Sequence, residues 1–423
     1  MFKKGVVVTL IFIISTFLQL VSQIVVTRIF GASLDLDVFL ASVAIPSILV
    51  TVIYGTFNDA FLPLFGEKKS KDPENADQFF FSHLLTLLLG SLVLGMVLMA
   101  SSEYIAELLY GSRGSVFVKD VGFQMRFLFM SIPLAVVSSL LGTYMYAAKK
   151  FSRFPIAQAI GSLLSLIIIF TLAETLGAWA LVIGFVANIG FQIIVVIPKN
   201  IFSASFQFAN VLPFLYAMTP LIIGSFALRS DTLILRSYGS QLPEGSLVYL
   251  NLISRIFSIA TGVITIGIQV LLLPHLVEYL AEKKYKKAIE YVNKAKILGL
   301  FVTIGVIISI ALFAPFIIKL LFVGGEFTLS DADKTSAMIP FFILPALAWG
   351  TNNIFFQPLI ALKKQVQLGI LNVSALVLAL LTAWLGGKLL GAFPAIIIGI
   401  TTLLLTGIIG SEILWQYYKK KLL

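Results

Sequence analysis

Arg255 is the residue in this chain best equipped for chemistry. It stands about ten residues into an apolar stretch, 246–278, roughly 15 Å along a helix at 1.5 Å per residue. An arginine near a bilayer midplane costs at least a few kcal/mol unless it meets water or a partner. A guanidinium holds two phosphate oxygens in a fork, so Arg255 reads as a phosphate clamp; the competing reading is a structural ion pair with Asp231. Arg229 and Asp231 lie two residues apart and so point to different faces of a helix, one toward a cavity and one toward another partner, with Arg229 also able to snorkel to the interface. Arg28 and Arg236, at the ends of apolar stretches, read as interface anchors or as a gate closing on Asp35 or Asp37. Asp59 is either a carrier of a coupling proton or sodium ion or an interfacial acid. Ser15, Gln19, Ser22 and Gln23 form a polar stripe on one helical face, which is unfavourable toward lipid and suits a cleft or a neighbouring helix. Asn251, Asn352, Asn353 and Gln357 present the same choice, and neutral hydrogen-bonding groups suit sugar hydroxyls better than a bare drug cation.

Several chemistries are excluded by what the chain lacks. There is no cysteine, so disulfides and thiolate chemistry are out. His83 and His275 are too far apart in sequence for a metal-ligand spacing. Glycine-rich phosphate loops, a Ser/His/Asp set and nucleotide motifs are missing, so neither an ATP-driven pump nor a glycosyltransferase is expected, and no cofactor is implied.

The elements that must position these residues follow from composition. Of the 423 residues, 59% are apolar and only 12% charged, against roughly 45–50% and a quarter in soluble domains. A bilayer is the solvent that fits. Apolar runs of about 20 residues give twelve expected spans: 5–27, 38–65, 79–100, 122–147, 155–173, 177–197, 209–236, 246–278, 297–320, 336–361, 367–386 and 390–416. The first is read as a retained span, since it exceeds 20 residues and no small-residue cleavage site follows it. Alternate loops divide the 30 Lys and Arg into 20 on one side and 8 on the other, with Arg229 and Arg255 inside spans. Excess Lys and Arg mark the cytoplasmic side, so both termini are expected there, as an even span count requires. With acids included, the cytoplasmic loops carry +12 and the outer side −2. The net charge of +10 therefore reports orientation, and no nucleic-acid partner is expected. The basic run 282–296, EKKYKKAIEYVNKAK, is expected to meet anionic lipid headgroups.

The sequence also repeats. TRIFGAS (27–33) and FLPLF (61–65) are echoed by LRSYGS (235–240) and LLLPHL (271–276), LLYGS (108–112) by LLFVGG (320–325), and AAKK (147–150) by ALKK (361–364). The offset drifts from 208 between Arg28 and Arg236 to 214 between Lys149 and Lys363. A six-span repeat has both halves entering from the same side, related by an axis along the membrane normal. The expected fold is thus an all-α polytopic membrane protein with about 12 transmembrane helices in two six-helix lobes (1–198 and 211–423) joined by a linker at 199–210. Such parallel lobes are the architecture of alternating-access transporters.

These landmarks resemble the lipid II flippases of the MurJ/MviN family, within the multidrug/oligosaccharidyl-lipid/polysaccharide exporter superfamily. The resemblance rests on TRIFGAS, on Asp37 nine residues before Pro46, on DAFLP (59–63), on YLNLISRIFSIATGVITIGIQVLLLPHL (249–276) and on LLFVGGEFTLSDA (320–332). It implies that Asp37 is a cavity acid and that Arg255 serves as a substrate cation. The chain also departs from the family. An arginine-bearing pattern in span one is replaced by Ser15, Thr16, Ser22 and Gln23, an arginine pair after the span-two proline by Val50 and Thr51, and the acids flanking the span-eight arginine by Ser254 and Ser258. With most of the family's cations replaced, the expected substrate widens from lipid II to any polyprenyl-pyrophosphate-linked saccharide, carried by a monomer through the cytoplasmic membrane. A cation-coupled drug exporter of the same superfamily and a non-transporting scaffold in envelope assembly are the alternatives.

Overall fold

The computed structural model describes residues 2–198, 206–209 and 211–422; side chains at 2–13, at 213 and 217, and at most of 263–274 lie outside that description. Apart from short turns and the non-helical stretch 206–209 the described chain is helical, with one isolated bridge between Gly324 and Phe327. It divides into two compact units, Met1–Ile222 and Ile223–Leu423. The expected linker, 199–210, lies largely outside the described residues; its described stretch 206–209 is not helical and belongs to the first unit, and the division falls within a later helix.

The first unit holds α1 (Phe2–Phe30), α2 (Leu34–Ser42), α3 (Ala44–Lys71), α4 (Ala76–Ala100), α5 (Ser102–Tyr110), α6 (Ser115–Leu128), α7 (Ser131–Ala147), α8 (Arg153–Leu176) and α9 (Trp179–Val196). Helix α10 (Leu212–Leu228) leads into the second unit, with α11 (Asp231–Gly239), α12 (Ser246–Ala281), α13 (Tyr285–Phe322), α14 (Leu329–Met338), α15 (Ile343–Ala361), α16 (Gln365–Leu390) and α17 (Ala392–Leu422). Among the described residues, nine helical segments are long and apolar enough to cross a membrane, and ten if the bent pair α10–α11 is one span. Helices α1 and α12 contribute the shorter described stretches Ile14–Phe30 and Ser246–Gly262. Each of the twelve expected segments lies on a helix or a broken helix.

Two of the breaks correct the expectation of continuous spans. Segment 38–65 is interrupted at Val43, between α2 and α3. Segment 209–236 bends by 41° between α10 and α11. At that bend the Arg229 N–H is shared between the carbonyls of Ser225 and Phe226, the Ser230 N–H turns to Ala227 and the Ser230 hydroxyl donates to Phe226. The last turn of α10 is thereby tightened, and Asp231 starts a new helix whose N-terminal dipole favours an acid.

The helices pack by small residues, as they must where lipid tails are as apolar as the side chains they compete with. Along α8 the buried positions facing α9 include Gly161, Ser165 and Ile169. Along α16, packed on α17, they are Ala375, Ala379 and Ala383, each 214 positions further on. The same offset links other pairs. Trp179 meets Phe127 edge-on at 5.3 Å in the first unit, and Phe393 meets Phe341 edge-on at 5.4 Å in the second. Gly177 and Gly391, the turns between the last two helices of each unit, both have positive φ (55° and 98°). A Cβ on Gly142 would press 2.9 Å from the Phe154 ring, whereas their counterparts Phe356 and Leu368 pack in one buried cluster. The same contact is filled from opposite partners.

The AAKK and ALKK turns close alike. Lys149 and Lys363 sit at φ 58° and 57°, and the N–H groups of Lys150 and Lys364 reach back to the carbonyls of Met145 and Leu359 at 2.9 Å. That is the six-to-one bond of a left-handed helix stop, a position glycine fills without strain. Lys149→Gly and Lys363→Gly should each raise the thermal midpoint of the solubilised protein, by the equivalent of about 0.5–1 kcal/mol; an unchanged or lowered midpoint in both would remove this account of the turns.

Candidate functional site

The expected working residues fall into two groups, one in each unit. In the second unit, Arg255 lies nine residues after the start of α12, about 14 Å along it, close to half the thickness of a hydrocarbon core. Asn251 stands one turn before it, on the same face, and both are half-buried. Ser258, exposed, and Gly262, half-buried, continue the line at helical spacing, so this strip of α12 is polar or small where its other faces carry Leu252, Ile253 and Phe257 in the core.

At the α10–α11 break, Asp231 is half-buried and its carboxylate accepts the Trp349 indole N–H of α15 at 2.8 Å and the Thr232 N–H at 2.8 Å. Arg229, just before the break, is exposed. Arg236 lies half-buried in the last turn of α11, where a cation meets the negative end of the helix dipole. Arg28 holds the same position, exposed, in the last turn of α1. Nearby in sequence, Tyr249 of α12 donates to Asp331 at 2.6 Å, which also completes the capping box of α14 with Thr328.

In the first unit the α1 stripe is graded. Gln19 is exposed, while Ser15, Ser22 and Gln23 are half-buried, and Gln23 donates to the buried Thr27 at 3.3 Å. Asp37 is 3% exposed, in the first turn of α2 behind the Ser33 cap, where the helix dipole favours a carboxylate. Asp59 is exposed on α3, well separated in the chain from Asp37. Among the described residues no group of three or more His, Asp and Glu is placed to hold a metal.

Two features escape the sequence. Trp349 is 118 positions from the Asp231 it bonds; the one signal was an indole in an apolar span, whose N–H needs an acceptor. The other is a buried hydrogen-bonded set across α3, α7 and α9: Tyr54 and Ser138 both donate to the Gln192 carbonyl oxygen (3.0 and 3.2 Å), and the Gln192 amide donates to Asn188 at 2.8 Å. Asn188 and Gln192 at i, i+4 in an apolar helix were its visible trace.

The long apolar helices define an all-α polytopic membrane protein. The structure superposes on a multidrug resistance MATE family transporter of the MOP superfamily, inward-facing, with TM-score 0.76 and 16% identity over 96% of each chain. It superposes on a lipid II flippase MurJ in an inward closed conformation with TM-score 0.82 and 21% identity, over 98% of this chain and 87% of that one. At sequence level, probable lipid II flippases MurJ from Borreliella burgdorferi (26% identity, 84% of this chain and 72% of theirs) and from Buchnera aphidicola subsp. Acyrthosiphon pisum (28%, 80% and 68%) are similar. The family model of the lipid II flippase MurJ matches residues 26–423, and the chain belongs to that family.

Proposed function

We propose that this multi-pass membrane protein flips a lipid-linked saccharide precursor, a polyprenyl-pyrophosphate carrier bearing lipid II or a related headgroup, from the cytoplasmic to the outer leaflet. The observation that carries the reading is the family match across residues 26–423. The distribution of Lys and Arg supports cytoplasmic termini in a cytoplasmic membrane, and the 214-residue correspondences support two six-span halves, twelve spans in all. In this reading Arg255, Asn251 and the α12 strip meet the headgroup and its phosphates, with Arg229, Arg28, Asp37, Gln19 and Gln23 as further contacts. Asp231, Asp59 and Arg236 serve coupling or gating, with no catalytic step and no cofactor. Depleting the protein should make an undecaprenyl-type lipid-linked intermediate accumulate in the cytoplasmic leaflet, and purified protein in vesicles should translocate that intermediate; accumulation of none would overturn the reading.

Asp231 offers a sharper test. Asp231→Asn keeps an acceptor for the Trp349 N–H and removes the charge. Asp231→Ala removes both and leaves an indole N–H without its acceptor, at about 1–3 kcal/mol. If Asp231 couples transport to an ion, both variants should lose gradient-driven translocation while only the alanine form loses thermal stability. Full transport by the asparagine form would reduce Asp231 to a positioning acceptor for Trp349.

A further inference from the structure

The first unit contains a cavity of about 700 Å³ at the ends of α3 and α4 nearest their connecting turn. Its rim and its floor differ in chemistry. On the rim, Lys68 pairs with Asp72 at 2.6 Å and Lys71 with Glu67 at 2.6 Å, and Asn75 donates to both oxygens of Asp72 at 3.1 Å. The floor is lined by Leu64, Phe79 and Phe214, with Phe208 at the mouth. Part of the wall is the stretch 207–209. It is pinned to α4 by two backbone bonds, Gln207 N–H to the Ser82 hydroxyl and Ala209 N–H to the Thr86 hydroxyl, each 3.2 Å. Beside the mouth, Phe206 and Phe208 stack edge-on at 5.0 Å, and Phe208 is 78% exposed. An apolar aromatic pair left exposed next to charged helix ends offers apolar surface for an amphipathic ligand beside charges for its headgroup.

We propose that this cavity binds a zwitterionic aminophospholipid of the adjoining leaflet, headgroup on the rim and the start of an acyl chain on the floor. The rim supplies two cations and two carboxylates, so its charge sums to zero. A phosphate finds Lys68 and Lys71 within reach, and the ammonium carried on the same headgroup finds Glu67 and Asp72. An anionic lipid would satisfy the lysines and face the carboxylates unpaired, and a free headgroup would leave the apolar floor uncovered. The site is separate from the α12 strip, and it rests on the proposed function only for its assignment to the cytoplasmic leaflet. A lipid seated there would touch α3, α4 and the stretch that leads into α10, and its binding would stabilise them together.

The test uses the full chain, purified and delipidated, offered phosphatidylethanolamine, phosphatidylglycerol or free phosphorylethanolamine, with retained molecules counted by native mass spectrometry. Phosphatidylethanolamine should be retained about tenfold over phosphatidylglycerol, and Lys68→Ala/Lys71→Ala and, independently, Phe208→Ser should each lower that retention about tenfold, one order of magnitude being about 1.4 kcal/mol. Equal or greater retention of phosphatidylglycerol, equal binding of free phosphorylethanolamine, or retention unchanged in both variants would each overturn the proposal. Translocation of the lipid-linked saccharide is measured on the same variants. Lost retention with normal translocation supports the lipid site alone, whereas normal retention in a chain that translocates nothing overturns the flippase reading and leaves the lipid site standing.

Discussion

Arg255→Ala should lower the initial rate of lipid-linked saccharide translocation by roughly 30- to 100-fold, measured in vesicles and normalised to inserted protein. The magnitude follows from the bond lost: hydrogen bonds to a charged partner contribute about 1.5–3 kcal/mol each, and 1.4 kcal/mol is a factor of ten. Arg255→Lys keeps the charge but not the planar fork, and should fall between, about three- to tenfold below the parent. Thermal unfolding and membrane insertion of each variant are measured beside translocation, so that a loss of folding is told apart from a loss of substrate contact. Unchanged translocation in the alanine form would sink the clamp. Retained complementation by a chain that translocates nothing in vesicles would instead favour a scaffold in envelope assembly.

The helices were legible because each bilayer crossing needs about 20 apolar residues, a signal that survives in any order of Leu, Ile, Val and Phe. The repeat was most legible where turns recur. AAKK and ALKK show at sight, since a helix stop depends on few residues, and they mark the 214-residue offset. The packing that shares this offset is hidden, because Gly142 against Phe154 and Phe356 against Leu368 fill one contact with different side chains. The break at Val43 left a trace in Pro46, which has no N–H for the Ser42 carbonyl four residues back; that at Arg229–Ser230 left little, and the α10–α11 bend comes from carbonyls shared within a turn. At the site, Arg255 could be found alone because a deep charge is conspicuous in an apolar run. Its competing reading, an ion pair with Asp231, depended on a long-range contact that sequence does not show; in the structure the Asp231 carboxylate accepts the Trp349 indole N–H. Asp37 reads differently once placed: its position in the first turn of α2, 3% exposed, explains a buried acid by the helix terminus, whatever it also does toward substrate.

The largest stability effect should come from Lys296, which lies on α13 with its side chain 10% exposed. Its ammonium is paired with Glu412 of α17 and stands 5.0 Å from the Phe355 ring of α15 and 5.5 Å from Trp415 of α17. One charge thus ties three helices, next to the buried cluster of Leu276, Ala288, Val292 and Trp415. Breaking a buried ion pair from one side costs about 3–5 kcal/mol because the other charge is stranded; Glu412 is about one-third exposed, so Lys296→Ala should cost nearer 2–3 kcal/mol once water screens it. Replacing both partners by apolar residues of similar volume is often neutral, so Lys296→Met/Glu412→Leu should recover most of the lost midpoint. The exchanged pair Lys296→Glu/Glu412→Lys should not recover it. It would turn a carboxylate toward the faces of Phe355 and Trp415, whose quadrupoles attract cations and repel anions. Thermal unfolding of the solubilised chain separates the cases: rescue by the exchange would mean that the ion pair alone holds α13, α15 and α17 together, and rescue by the apolar pair alone would mean that the aromatic box selects the sign of the charge it encloses.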